Sequence, residues 1–180
     1  DNWIDEEGAV KPHTTTQSSL EAEGNALALK SSSTKPVVLR FAGFFGHGSD
    51  QAASVIQKGG EGISPFVGIK EHYQSFINLE DAAEAVVAAF RAEEGIYNIV
   101  EDEPSIKGEL DNILAKILDK KELQRMPIDW IPKDSHLLRS QRVSNKKFKQ
   151  VTGWQPKYKS AYEIFKAYVE VENKESKVSV

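Results

Sequence analysis

Apolar residues along this chain fall into short runs of two kinds, and the spacing within each run predicts the element it forms. After Pro36, the residues Val37, Val38, Leu39 and Phe41 make a near-continuous apolar run, the pattern of a parallel strand covered on both faces. Gly43, Gly46 and Gly48 follow, so the strand is expected to deliver a loop that can approach another backbone or a ligand. Gly95 to Val100, reading GIYNIV, predicts a second strand of β-branched and aromatic residues. Pro65 to Ile69 predicts a short edge strand.

Helical spacing fills most of the rest. Thr14, Thr15 and Thr16 offer capping hydroxyls ahead of Leu20, Gly24, Leu27 and Ala28 on one face, which predicts a helix over 17–30. A short helix over 51–58 carries Ala52, Val55 and Ile56 on one side. The strongest pattern is Leu79, Ala82, Ala83, Val86, Val87 and Phe90, with Glu80, Asp81 and Glu84 near the positive end of the dipole, Asn78 as cap and Gly95 as exit. Asn78 and Asp81 both read as capping residues. Leu110, Ile113, Leu114, Ile117 and Leu118 predict a helix over 105–120, and a further short one is expected over 144–150. Ser160 and Glu163 match a capping box ahead of Ile164, Phe165, Tyr168 and Val169, with a frayed tail after Glu172. Helices alternating with strands predict an α/β fold, in which ligands sit beyond the carboxyl ends of the strands.

Composition narrows the function classes. A chain of 180 residues suits one domain burying on the order of 70% of its unfolded surface. With 23 basic and 27 acidic residues the formal charge is −4, which argues against nucleic acid as the main partner. No cysteine is present, which excludes a disulfide framework and a thiolate zinc site and leaves the redox compartment undetermined. His13, His72 and His136 are too scattered to propose a metal site. No apolar run approaches the roughly 20 residues that cross a bilayer, and DNWIDEEG is neither basic nor apolar enough for a signal peptide, so a soluble cytoplasmic protein is expected. The lack of an initiating methionine suggests a processed chain or an excerpt of a longer one.

Four strings, in order, resemble the carboxyl-terminal part of an extended short-chain dehydrogenase/reductase, the NAD-dependent epimerase/dehydratase family. Leu39 to His47, LRFAGFFGH, looks like the family's LRxxNxYGP strand exit, and Gln74 to Ala83, QSFINLEDAA, looks like its RDFIHVDDVA. GIYNIV is similar to its GxYNxG strand, and Arg142 to Pro156, RVSNKKFKQVTGWQP, is similar to its RxDxxKxxxxLGWxP ending. The resemblance implies the last strands of a parallel Rossmann-like sheet plus a small, mostly helical substrate-capping domain. The Rossmann remnant is expected over 14–58 and 76–100, the substrate-domain elements over 59–75 and 101–172, and a tail over 173–180.

By the same resemblance, the function expected is the substrate-binding part of an NAD(P)-dependent epimerase, dehydratase or reductase acting on a nucleotide-sugar or similar polar substrate. Phe41, Ala42, Gly43 and Phe44 would flank the NAD or NADP, and Phe45, His47, Arg139 and Arg142 the substrate. Arginine forks suit phosphate, and pairing with local surface acids is an equal reading of Arg139 and Arg142. Buried aromatics at Phe44 and Phe45 also read as core, and His47 as a solvated loop residue. The family's GxxGxxG turn is absent from these residues, so the chain is expected to be one part of a protein, partnered by an amino-terminal Rossmann portion that grips the dinucleotide. Self-association as a homodimer stays open.

The family's proton-transfer pair, a tyrosine and a lysine four residues later, aligns here with Thr15 and Ser19, because the helix that opens KxxAE in the family reads SLEAE. A threonine hydroxyl is a far weaker acid than a phenol of pKa about 10, and serine brings no positive charge to depress it. The departure is similar to the atypical branch of the superfamily that lacks YxxxK. A second reading follows from it: a non-catalytic member that keeps the fold to bind a nucleotide or a protein.

Overall fold

The structure is a computed structural model and describes residues 2–12 and 16–178. Its frame is a pair of parallel strands, β1 (Val37–Phe41) and β5 (Gly95–Ile99), in register from Val37 opposite Gly95 to Phe41 opposite Ile99. Between them the chain runs through β2 (Gly43–Phe45), α2 (Asp50–Gly60), β3 (Tyr73–Gln74), β4 (Phe76–Asn78) and α3 (Leu79–Ala89). β2 pairs parallel with β4, Gly43 opposite Phe76 and Phe45 opposite Asn78. Ala42 N–H donates to Ile99 O at 3.1 Å, so the chain passes from the first strand pair to the second without a break in hydrogen bonding.

Before the frame comes α1 (Gln17–Leu27). After it come β6 (Ser105–Ile106), α4 (Lys107–Ile117), α5 (Lys146–Thr152) and α6 (Ala161–Val178). Ser105 and Ile106 are therefore strand, not helix. They pair antiparallel with Gln74 and Tyr73, and the helix starts after them. Pro65 to Ile69 forms no strand. Its carbonyls are held by Arg125 instead, whose Nη2 donates to Phe66 O at 2.8 Å and to Gly68 O at 2.7 Å. The final helix runs past Glu172 to Val178, beyond the expected fraying point.

Two apolar clusters hold these elements together. In one, Phe45, Phe66, Phe76 and Phe165 pack with Leu110, Leu114 and Ile164 between β2, α2, α4 and α6. In the other, Ile77, Tyr97, Ile99, Phe148 and Trp154 pack with three alanines of α3 under the β1–β5 pair. The expected boundary at 58 cuts through α2, whose buried Ala52 and Val55 belong with α4 and α6. Likewise α5, expected in the capping part, sends Phe148 against Tyr97 at 5.6 Å and joins the strand pair.

α3 shows how two apolar rows of equal period are told apart. Ala82, Ala85 and Ala88 are buried, while Val86, Val87 and Phe90 face outward, Phe90 at 89% exposure. Small side chains let the helix backbone sit close to the strands, which a valine and phenylalanine row would hold off. β1 departs from expectation for a related reason. All five of its residues are only half-buried, because β1 has a single neighbouring strand among the described residues.

Candidate functional site

Beyond the carboxyl ends of β1 and β5 lies a cavity of about 900 Å³. Phe41, Ala42, Gly43, Asn98 and Val100 form the strand-end wall, and Ser19 and Glu23 of α1 stand beside it. The amino-terminal segment from Ile4 to Pro12 and the stretch from His136 to Val143 supply the remaining walls.

The amino-terminal segment is strapped in place by its backbone and by one arginine. Ile4 N–H donates to Arg142 O at 2.8 Å, and Ser144 N–H donates to Ile4 O at 2.9 Å. The Arg142 guanidinium lies between two rings, 4.4 Å from the centre of Trp3 and 4.7 Å from that of Tyr73, a cation–π sandwich that joins strap and sheet. Further along, Glu6 Oε1 accepts from Asn98 N–H at 2.7 Å, and Arg139 Nη1 donates to Lys11 O.

The opposite wall is held from below. Ser135 Oγ accepts from Leu137 N–H at 3.3 Å at the start of a 3₁₀ turn, His136–Leu138. Lys107 Nζ donates to Leu137 O at 2.7 Å, and burial pushes this ammonium down to about 8, helped by the Arg125 charge. Gly68, at φ +114°, backs the turn so closely that a Cβ there would lie 2.2 Å from Leu137 O. His72 Nδ1 lies 2.8 Å from Leu138 O; a carbonyl only accepts, so Nδ1 carries the hydrogen and donates.

Charge in the cavity wall is largely compensated. Arg40 and Glu23 form a two-pronged pair, Nε to Oε1 at 2.9 Å and Nη2 to Oε2 at 2.6 Å, and this bond raises the arginine above its ordinary pKa. Arg139 bonds to the backbone carbonyls of Lys11 and Asp134, and among the described residues no acid pairs with it.

Of the residues singled out from sequence, Ser19, Phe41, Ala42, Gly43 and Arg139 line this one cavity. Thr15 lies outside the described residues. Phe44 sits outside the cavity, tilted against Phe41 at 5.2 Å. Phe45, expected beside the substrate, is completely buried among Phe76, Phe165 and Tyr168 and has no surface to offer a ligand. His47 is directed to α6, its Nδ1 3.1 Å from Glu172 Oε1. Arg142 acts on the strap rather than lining the cavity. Asp81, read as a helix cap, is instead fully buried and accepts from Lys157 N–H at 2.7 Å and Tyr158 N–H at 3.0 Å; Asn78 does cap α3, accepting from Glu80 N–H at 2.8 Å.

Sequence reasoning passed over Asn98 and considered His72 only as a metal ligand. The available signal for Asn98 was a polar residue between apolar ones in a strand, at a position where alternation puts it on the face opposite Tyr97 and Ile99. Nothing local marked His72, which reaches the cavity through a partner 66 residues away. Among the described residues, no group of three or more His, Asp or Glu side chains is placed to hold a metal ion, and no helix is long and apolar enough to cross a membrane.

No protein-family model matches the sequence, and no curated protein matches it. Solved structures do. The human epimerase family protein SDR39U1, solved with NADPH, superposes with a TM-score of 0.79 at 19% identity over 94% of this chain and 60% of its own. MoeE5, in complex with UDP-glucuronic acid and NAD, gives 0.77 at 16% identity over 97% of this chain and 60% of its own. The dTDP-glucose 4,6-dehydratase of Bacillus anthracis, in complex with NAD, gives 0.75 at 19% identity over 98% of this chain and 57% of its own. The chain thus spans about three fifths of the length of these structures. At such identities the likeness establishes the fold: that of the extended short-chain dehydrogenase/reductases of the NAD-dependent epimerase/dehydratase kind, over a stretch consistent with their carboxyl-terminal portion.

The residues present fit a dinucleotide only in part. Phe41 to Gly43 offer a strand end beside the cavity, yet the chain has no GxxGxxG turn to hold a pyrophosphate. Gly46 and Gly48 do precede α2, but a Cβ on Gly46 would press on Leu79 at 3.0 Å, and Ser49 Oγ already accepts from Ala52 N–H at 3.3 Å. Those glycines serve a tight turn packed on α3.

Proposed function

We propose that this chain is the substrate-binding, carboxyl-terminal part of an NAD(P)-dependent epimerase, dehydratase or reductase-like protein of the cytoplasm, acting on a nucleotide-sugar or a similar polar substrate. The carrying observation is the cavity itself. It opens at the carboxyl ends of the parallel strands and gathers Ser19, Phe41, Ala42, Gly43 and Arg139 from distant parts of the sequence. MoeE5, of the same fold, is solved with both UDP-glucuronic acid and NAD. Arg139 is the phosphate ligand in this reading, since no acid among the described residues pairs with its guanidinium. Phe41 to Gly43 meet the nicotinamide side of the cofactor. Its pyrophosphate is gripped by an amino-terminal Rossmann portion of the same protein, whose last strand adds to the open edge of β1 and whose helices cover Val87 and Phe90.

Ser19 favours a second reading. It stands in the cavity wall, and the resemblance aligns it with the family's lysine, whose charge a serine lacks for lowering the pKa of a neighbouring acid. A non-catalytic member that binds a nucleotide, or a protein, satisfies the same geometry.

Isothermal titration of the full-length protein with NADH, NADPH and UDP-glucose, followed by a hydride-transfer assay, separates the two. Turnover that survives Ser19→Ala and Thr15→Ala supports an enzyme whose acid and base lie elsewhere. Tight cofactor binding without turnover supports the second reading, and absence of binding to any of the three ligands overturns both in their nucleotide form.

A further inference from the structure

We infer that the side-chain amide of Asn98 is a ligand-reading group of the cavity, donating a hydrogen bond to an uncharged oxygen such as a sugar hydroxyl. The inference deepens the nucleotide-sugar reading and rests on it for the identity of the ligand. Asn98 is 4% exposed and lines the cavity, and its Nδ2 is buried with no hydrogen-bond partner. Of the unpartnered buried side-chain atoms among the described residues, the others belong to Glu101, Arg142 and Trp154, none of which lines this cavity. A buried N–H₂ left unpaired opposes folding, and such groups in native structures usually find a partner in protein, water or ligand.

The neighbourhood says what kind of oxygen fits. Asn98 lies opposite Arg40 in the β1–β5 register, so both side chains stand on one face of the strand pair. Arg40 is already held by both oxygens of Glu23, and the backbone N–H of Asn98 is held by Glu6. Glu23 and Glu6 both act on the Arg40 charge, so this part of the wall sets two carboxylates against one guanidinium, which disfavours an anion there and accepts a neutral hydroxyl. Arg139, contributed by another wall, is bonded only to backbone carbonyls among the described residues. The cavity is therefore polarised: the anionic end of a ligand goes to Arg139 and its hydroxyl-bearing end to Asn98.

The test follows the Asn98 side-chain amide in ¹H–¹⁵N spectra of the full chain, assigned by its loss in Asn98→Asp. Addition of UDP-glucose, or of methyl α-D-glucopyranoside at high millimolar concentration, is expected to move this signal, and UDP alone to leave it in place. Asn98→Leu, similar in volume and unable to donate, is expected to weaken UDP-glucose about tenfold while leaving UDP within about twofold. If UDP-glucose binds but neither moves the amide nor binds the leucine variant more weakly, the inference falls and the nucleotide-sugar reading stands. If the glucoside moves the amide while neither UDP nor UDP-glucose binds, the inference stands and the nucleotide-sugar reading falls. An amide unmoved by either sugar overturns the role given to Asn98, whether or not the leucine variant folds.

Discussion

Glu101 and Phe76 are joined twice: Phe76 N–H donates to Glu101 Oε2 at 2.5 Å, and Glu101 N–H donates to Phe76 O at 2.9 Å. This double link ties the exit of β5 to the start of β4. The carboxyl is 1% exposed, its Oε1 has no partner, and burial pushes it up to about 8 against the opposing pull of the Phe76 N–H. In the native state Glu101 therefore keeps its proton at pH values where the unfolded chain has released it. Its folded pKa is raised, so its contribution to stability is complete below pH 4.5 and is lost as pH rises through about 8. Glu101→Gln keeps the acceptor for Phe76 N–H and removes the titration. We expect it to match wild type in denaturant melts near pH 5 and to exceed it by roughly 2 to 5 kcal/mol above pH 8. Equal pH dependence in the two proteins would show that Glu101 is not the titrating group.

Lys107 acts in the opposite sense. Its pKa is lowered from 10.5 to about 8, so the native state releases this proton before the unfolded chain does, and stability gains from Lys107 as pH rises across that interval. With Glu101 losing its contribution up to about pH 8, the two groups together place a minimum of stability near that pH. Lys107→Met keeps the length of the side chain, abolishes the alkaline gain, and removes the bond to Leu137 O at a cost of about 1 kcal/mol. Wild type and variant melted at several pH values would show whether the alkaline limb disappears.

Behind the same turn, Gly68→Ala should be far more harmful. Its φ of +114° strains any side chain, and the added Cβ would meet Leu137 O at 2.2 Å. A loss of about 3 kcal/mol or more is expected from strain and displacement of the turn. A variant within about 1 kcal/mol of wild type would mean that the turn is free to move away.

Asp81→Asn tests a link rather than a cap. The carboxylate takes the N–H groups of Lys157 and Tyr158, whereas an amide turns one of its two positions into a donor facing a donor. The expected loss is about 1 to 3 kcal/mol, with faster hydrogen exchange at those two amides while the first turn of α3 stays protected. Unchanged exchange at the Lys157 and Tyr158 amides would overturn the link assigned to Asp81.

Arg142→Leu removes the sandwich between Trp3 and Tyr73 but leaves the backbone bonds of the strap. About 1 to 2 kcal/mol of local stability should be lost, seen as faster exchange at the Ile4 and Ser144 amides. Unchanged exchange there would assign the strap to its backbone pairing alone.

Much of this molecule was written in local pattern. The strands at Val37 and Gly95, the helices starting at Leu79 and near Asp50, and the Asn78 cap follow from period, caps and glycine placement, because those signals act within a turn or two of the chain; the helix starting at Gln17 forms without a side-chain capping bond from Thr16. Four residues picked out by string resemblance, Ser19, Phe41, Ala42 and Gly43, share one cavity for a similar reason: the strand exit and the helix beside it carry their positions with them.

Tertiary structure decided whatever depended on a distant partner. Which row of α3 goes inward was settled by how closely the helix must approach the strands, and period alone is blind to that choice. Phe45 went to the core because Phe76, Phe165 and Tyr168 converge on it, and Arg142 to the strap because Trp3 and Tyr73 arrive on either side. Asn98 and His72 entered the cavity wall through chain segments separated by dozens of residues, Asn98 facing the Glu6 strap and His72 the Leu138 turn. Local sequence sets which backbone shape each segment prefers, whereas a polar group's partner, and so its chemistry, exists only once remote segments have been brought within hydrogen-bonding distance.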